Sequence, residues 1–141
     1  MLPSIFKSYD IRGLAPQEID VTVAKRLGQV LARMHSPKRV LVGHDMRTTS
    51  PELEAALCEG LTSQGVNVTR IGLCSTPMFY FAVGEGAGRY DLGVMVTASH
   101  NPAAYNGFKL VKGDVRPIGQ GSGMEEIRGT ACGNVEYESS T

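Results

Sequence analysis

The sequence predicts an α/β domain of three layers, with a mixed, mainly parallel four-stranded sheet between helices. Three observations carry that prediction. Short apolar runs rich in β-branched residues alternate with segments of helical periodicity. Helices between strands act as crossovers, and crossovers make neighbouring strands parallel. The last two apolar runs stand too close together for a helical crossover, so the final strand is expected to run antiparallel to the one before it.

Residues 20–35 read as the first helix. Asp20 can cap its start, and Val23, Leu27, Val30, Leu31 and Met34 recur at helical spacing before Ser36-Pro37 ends it. Lys38 to Gly43 (KRVLVG) is the first strand, apolar enough to be buried on both faces. Ser50 is a good N-cap for the next helix, with Pro51 at its first position and Glu52 placed to favour the helix dipole. Leu53, Ala56, Leu57, Gly60 and Leu61 form one face of that helix, and Gly65 fits the left-handed position past its end. Val66 to Ile71 alternates as a second strand. Thr76-Pro77 repeats the cap-then-proline signal and opens a helix through Val83, which Gly84, Gly86 and Gly88 then break.

Leu92 to Ala98 is continuously apolar, as a central strand covered on both faces should be. Asn101-Pro102 turns the chain, Asn106-Gly107 is a strong turn dipeptide, and Phe108 to Lys112 forms the fourth strand. Gly119, Gly121 and Gly123 precede a short helix around Met124 to Arg128. Residues 1–133 are thus expected to form one domain, with residues 134–141 a polar, frayed tail.

Composition narrows the function. The 141 residues carry 14 basic and 14 acidic side chains, a balance that argues against general nucleic-acid binding. No stretch approaches the ~20 apolar residues of a membrane span, so no membrane partner is expected. The start, MLPSIFKSYDIRG, lacks a basic segment followed by a long apolar one and does not read as a signal peptide. Cys58, Cys74 and Cys132 are odd in number and far apart, which predicts reduced thiols and a cytoplasmic protein.

Ligands of such sheets gather beyond the carboxyl ends of the strands. Gly43-His44-Asp45-Met46-Arg47, Gly72 to Thr76 and Thr97 to Pro102 fall there; Tyr9 to Gly13 cannot be placed by this rule. Ser99 is the most suggestive position, a hydroxyl held on a tight turn at the end of a buried strand. It either bonds turn amides or is offered outward for chemistry. A serine hydrolase would need Gly-x-Ser-x-Gly, which is missing here. His35, His44 and His100 show no metal-ligand spacing. Lys109 is either an exposed strand lysine or, by alternation, aimed back at the Ser99 turn. Arg12 reads as a surface charge, and Asp45 with Arg47 as a local ion pair that shapes its own loop.

Val94 to Lys109, V-M-V-T-A-S-H-N-P-A-A-Y-N-G-F-K, closely resembles the phosphoserine loop of the α-D-phosphohexomutases. Phe6 to Gly13, F-K-S-Y-D-I-R-G, resembles the N-terminal signature of that family. Gly43 to Ser50 is similar to its G-R-D-x-R-x-S-S motif, departing at His44 and Thr49. The resemblance covers about residues 4–130 and implies a fold like domain 1 of those enzymes. It also implies the chemistry of a phosphomannomutase/phosphoglucomutase, which interconverts hexose 1-phosphates and 6-phosphates. Ser99 would be the phosphoserine, with Lys109 and Arg12 steadying the transferring group or assisting proton transfer. His100 would be part of the catalytic loop, and Tyr9 and Asn101 would contact substrate or shape that loop. Mg²⁺ would be the cofactor, touching Ser99 only through its phosphate and taking its main ligands from a domain outside this sequence. Family members have four domains, so the remaining mutase domains and a hexose phosphate are the expected partners. The isolated chain is expected to be inactive. The alternative is a non-catalytic remnant that binds a phosphosugar or a partner protein.

Overall fold

The computed structural model describes residues 1–86 and 88–139. After a turn of 3-10 helix (Pro3–Ile5), the chain forms β1 (Ile11–Leu14), α1 (Val21–His35), β2 (Arg39–His44), α2 (Ser50–Thr62) and β3 (Asn67–Leu73). α3 (Thr76–Glu85), β4 (Leu92–Val96), β5 (Tyr105–Lys112) and α4 (Met124–Ala131) follow. The sheet order is β1-β5-β4-β2-β3.

The expected core of this topology is present. β2 pairs in parallel with both β3 and β4, and β5 runs antiparallel to β4. Two features differ from the sequence prediction. Among the described residues the sheet has five strands where four were expected, and it is less parallel. β1 pairs antiparallel with β5, so β5 opposes both of its neighbours and only half of the pairings are parallel. β1 was illegible because Ile-Arg-Gly-Leu is short and carries no alternation of its own. Its strand conformation comes from β5, where Gly107 lets the two backbones approach. A Cβ at Gly107 would lie 1.9 Å from the Ile11 carbonyl oxygen.

Two apolar layers flank the sheet. On one face α1, α2 and α4 bury Leu27, Leu31, Leu57, Leu61 and Ile127 against Val40, Val94 and Phe108. On the other, α3 sets Phe79 and Val83 against Leu41, Met95 and Val111. α1 and α2 pack with almost no gap, because Gly28 and Gly60 sit at their contact. A Cβ at Gly60 would come within 2.1 Å of the Lys25 carbonyl oxygen.

The helix starts show which caps operate. Asp20 accepts from the Val23 amide at 2.9 Å, as its position predicts. Ser75, not Thr76, caps α3 through the Met78 amide at 3.2 Å. Ser50 does not cap α2; its hydroxyl is diverted into the polar network described below. The tail departs from the frayed expectation. The Tyr137 ring lies under the guanidinium groups of Arg26 (5.0 Å) and Arg33 (5.9 Å), and Gln64 donates to the Glu138 carbonyl at 3.0 Å. Arg26 also bonds the Val135 carbonyl. An aromatic ring between two guanidiniums of α1 gives an otherwise polar segment a place to lie. Residues 140 and 141 of the expected tail lie outside the described residues.

Candidate active site

The carboxyl ends of β2 and β4, the adjoining parts of β1 and β5, and the start of α3 surround one cleft of about 680 Å³. Ser99, His100, Lys109, Arg12 and Tyr9 all line it, together with Asp10, Asp45, Met46, Cys74 and Tyr80. Five of the six residues singled out from the sequence therefore meet in one place. Asn101 does not line the cleft. Its side-chain amide donates to the Ala98 carbonyl at 2.7 Å, which makes it a brace of the loop and not a ligand contact.

The Ser99 turn is held from behind by a buried polar network. Asp45, at the end of β2, is 8% exposed. Its carboxylate accepts from Ser50 Oγ (2.6 Å), Thr97 Oγ1 (2.7 Å) and the Arg47 amide (3.1 Å), and pairs with Arg47 Nε (3.3 Å). Thr97 Oγ1 in turn accepts from the Ser99 amide at 2.9 Å. The Arg47 guanidinium spends its remaining donors on four loop carbonyls: Asn101 (2.6 Å), Pro102 (2.7 Å), Ser99 (3.0 Å) and Tyr105 (3.1 Å). Asn106 closes the network, donating to Thr49 Oγ1 and Ser50 Oγ. The Asp45–Arg47 pair exists, as the sequence suggests, but the loop it shapes is the serine loop, 52 to 58 residues away.

This anchoring holds Ser99 at φ +55°, the left-handed region that a non-glycine residue enters only at a cost of about 1–2 kcal/mol. Its hydroxyl does not serve the turn. Ser99 Oγ is buried and has no hydrogen-bond partner. Neither of the two readings the sequence left open holds as stated: Thr97 Oγ1, not Ser99, bonds the turn amide, and Ser99 Oγ is not offered outward but lies buried beside the cleft.

Two cations share the cleft. Arg12 Nε lies 3.4 Å and Lys109 Nζ 3.8 Å from the carboxylate of Asp10, whose side chain is only 6% exposed. Asp10 was missed in the sequence reading, because an acidic residue beside a short strand carries no signal until β1 is known to pair with β5. Burial pushes the Tyr80 phenol above its usual range, with Asp10 adding to the effect, and burial likewise raises the Cys74 thiol. Both stay neutral as they line the wall. Among the described residues no three His, Cys, Asp or Glu side chains are grouped to hold a metal ion, and the Asp45 carboxylate is committed to its own donors. The residues present do not by themselves fit Mg²⁺.

The family model for phosphoglucomutase/phosphomannomutase, alpha/beta/alpha domain I, matches residues 3–133. The chain belongs to this family. A Xanthomonas campestris protein described as phosphohexose mutases is 46% identical over 132 residues, spanning 92% of this chain and 29% of its own length. A phosphomannomutase of Escherichia coli K12 is 41% identical over 129 residues, covering 92% of this chain and 28% of the relative. The crystal structure of a phosphoglucomutase/phosphomannomutase family protein from Burkholderia thailandensis superposes with a TM-score of 0.78 at 36% identity. That match covers 99% of this chain and 32% of the other. The phosphoglucomutase/phosphomannomutase domain seen here thus spans less than a third of these relatives' length.

Proposed function

We propose that this domain carries the phosphoryl-accepting serine of a phosphohexomutase that interconverts hexose 1-phosphates and 6-phosphates. The observation that carries the reading is the state of Ser99: a buried hydroxyl with no partner among the described residues, on a loop clamped at a positive φ, in a cleft shared with two cations paired only loosely with Asp10. A hydroxyl kept free of its surroundings at such expense suits a group that is to be modified.

In this mechanism the phosphate on Ser99 Oγ passes to a free hydroxyl of a hexose monophosphate. The O–P bond to Ser99 breaks, the new sugar O–P bond forms, and the proton lost by the sugar hydroxyl is matched by one taken up at Ser99 Oγ, which becomes a hydroxyl again. The bisphosphate turns round and returns its other phosphate to Ser99. Phosphoryl transfer depends chiefly on positioning and charge neutralisation. Arg47, Asp45 and Thr97 supply the positioning by fixing the loop. Lys109 and Arg12 supply positive charge to a group that carries about −1.5 to −2 when serine-bound. His100, exposed beside Ser99, is the candidate to move the sugar proton. Tyr9, 82% exposed, offers its ring to the substrate from the rim. Mg²⁺ would take its carboxylate ligands from elsewhere, and no step here is assigned to it.

The test is to incubate the chain with glucose 1,6-bisphosphate and digest it for mass spectrometry. Phosphate on the peptide containing Ser99, absent from Ser99→Ala, is the expected result. An unmodified Ser99 under conditions that label a full-length relative would sink the reading and favour the non-catalytic remnant. Steady turnover of glucose 1-phosphate is not expected from this domain alone. Orientation of reactants is worth up to about 7–11 kcal/mol of barrier, and this domain spans under a third of the relatives' length.

A further inference from the structure

Asp10 stands apart from the other acidic groups of the cleft. The Asp45 carboxylate has four donors, three of them well-formed hydrogen bonds. The Asp10 carboxylate is equally buried, yet among the described residues no hydrogen bond reaches it, and it pairs with Arg12 at 3.4 Å and Lys109 at 3.8 Å. Neither distance is that of a short, charge-assisted hydrogen bond, which runs about 2.7–2.9 Å. The arrangement follows from the ladder. Ile11 pairs with Phe108, so continuing the antiparallel register sets Asp10 opposite Lys109, while Arg12 lies two residues along β1 on the same side as Asp10. Among the described residues Lys109 and Arg12 have no other side-chain partner; both line the cleft, with side chains 22% and 38% exposed.

We propose that Asp10 is a resident counter-anion, with which an incoming phosphoryl group must compete for Arg12 and Lys109. The idea rests on the reading that the cleft receives phosphate. Asp10 is a positioning residue here: it holds two long side chains toward the Ser99 turn while the cleft is empty, and does so loosely enough to release them. Its charge also leaves the trio at +1 rather than +2, so the cleft does not trap free anions as tightly as two unopposed cations would. A phosphoryl group is thereby bound well enough to be steadied and weakly enough to be passed on.

The probe is inorganic phosphate, titrated against the chain by ³¹P NMR at pH 8, with nitrate as a monoanionic comparison whose affinity is read from its displacement of bound phosphate. Asp10→Asn keeps the shape and removes the charge. It should bind phosphate roughly tenfold more tightly, given one unit charge removed at close range in a partly hydrated site. Because the effect is one of charge, the gain for nitrate should be about the square root of that, roughly threefold. Lys109→Met should weaken phosphate binding and shrink the gain from Asp10→Asn. Phosphate affinity unchanged or weakened in Asp10→Asn, while Lys109→Met still weakens it, overturns the counter-anion role alone. Phosphate affinity indifferent to Lys109→Met overturns both this role and the phosphate reading of the cleft. Equal gains for phosphate and nitrate would show a change of shape and also overturn the proposal. Thermal melts check folding, and Asp10→Ser repeats the test with a different side chain should the asparagine variant unfold.

Discussion

Replacing Arg47 with methionine should loosen the serine loop before it unfolds the domain. The guanidinium is buried and satisfies carbonyls at residues 99, 101, 102 and 105 at 2.6–3.1 Å, besides pairing with Asp45. Methionine fills much of the space but donates nothing. Hydrogen bonds to charged groups are worth about 1.5–3 kcal/mol each, but four of them on one side chain are not additive, and part-buried carbonyls can turn to water. The Asp45 carboxylate, however, stays buried without its cation, and breaking such a pair costs about 3–5 kcal/mol. That is the figure expected in urea melts, from a total stability of about 5–15 kcal/mol. Lysine at the position keeps the charge but has only three donors on one atom, so Arg47→Lys should recover part of the loss and not all of it. Hydrogen exchange should rise first at the Ser99 and Asn101 amides, whose acceptors are Thr97 Oγ1 and the Ala98 carbonyl. A variant within 1 kcal/mol of wild type, with exchange across the loop unchanged, would refute the argument that Arg47 holds it.

Ser99→Ala should raise stability by about 1–3 kcal/mol while abolishing phosphate acceptance, because it removes a buried hydroxyl that makes no hydrogen bond; a urea melt and the bisphosphate labelling assay read the two effects. Gly107→Ala should cost about 3 kcal/mol or more and open β1, seen as loss of exchange protection across Ile11 to Leu14, since the added Cβ would overlap the Ile11 carbonyl. Burial pushes the Cys58 thiol up to about 11. The unfolded thiol ionises first on raising pH, so stability should fall between pH 9 and 11, and the difference from Cys58→Ala measured by urea melts across that range isolates it. A wild type and Cys58→Ala that lose stability in parallel would contradict this.

The elements most legible in the sequence were those whose signals are local. Periodicity located α1, the apolar runs located β2 and β4, and the short connection between Val96 and Tyr105 forced β5 to return antiparallel, although Asn106-Gly107, expected as its turn, lies inside β5 and pairs with β1. Caps were read one residue off at α2 and α3 because Thr49-Ser50 and Ser75-Thr76 each offer adjacent candidates, and tertiary bonding decides between them. Ser99, Lys109 and Arg12 were singled out through their motifs, and the structure sets all three around one cleft. Asn101 was read as contacting substrate or shaping the serine loop, and its bond to the Ala98 carbonyl fits the second, since a loop asparagine facing inward looks the same in sequence as one facing out. β1, Asp10 and the reach of Arg47 stayed hidden for a common reason: each is defined by pairing across long separations. Arg47 looks like a partner for Asp45 two residues away, and nothing in its neighbourhood announces four carbonyls beyond residue 98.

The energetics of the loop argue that its conformation is imposed from outside and not chosen by its own residues. A left-handed φ at Ser99 costs about 1–2 kcal/mol and a buried, unpaired hydroxyl about 1–3 kcal/mol. Glycine at 99 would relieve the first cost and alanine the second, so neither is explained by stability. Both are sustained by bonds that bypass the side chain: Thr97 takes the Ser99 amide, Arg47 takes its carbonyl, and Asp45 ties those two together. The backbone is thus satisfied on the inner side while Oγ is left without a partner among the described residues. On the proposed reading, Ser99 would break no hydrogen bond of its own before a chemical step, and the loose pairing of Asp10 with Arg12 and Lys109 would be the one to yield to an incoming phosphate.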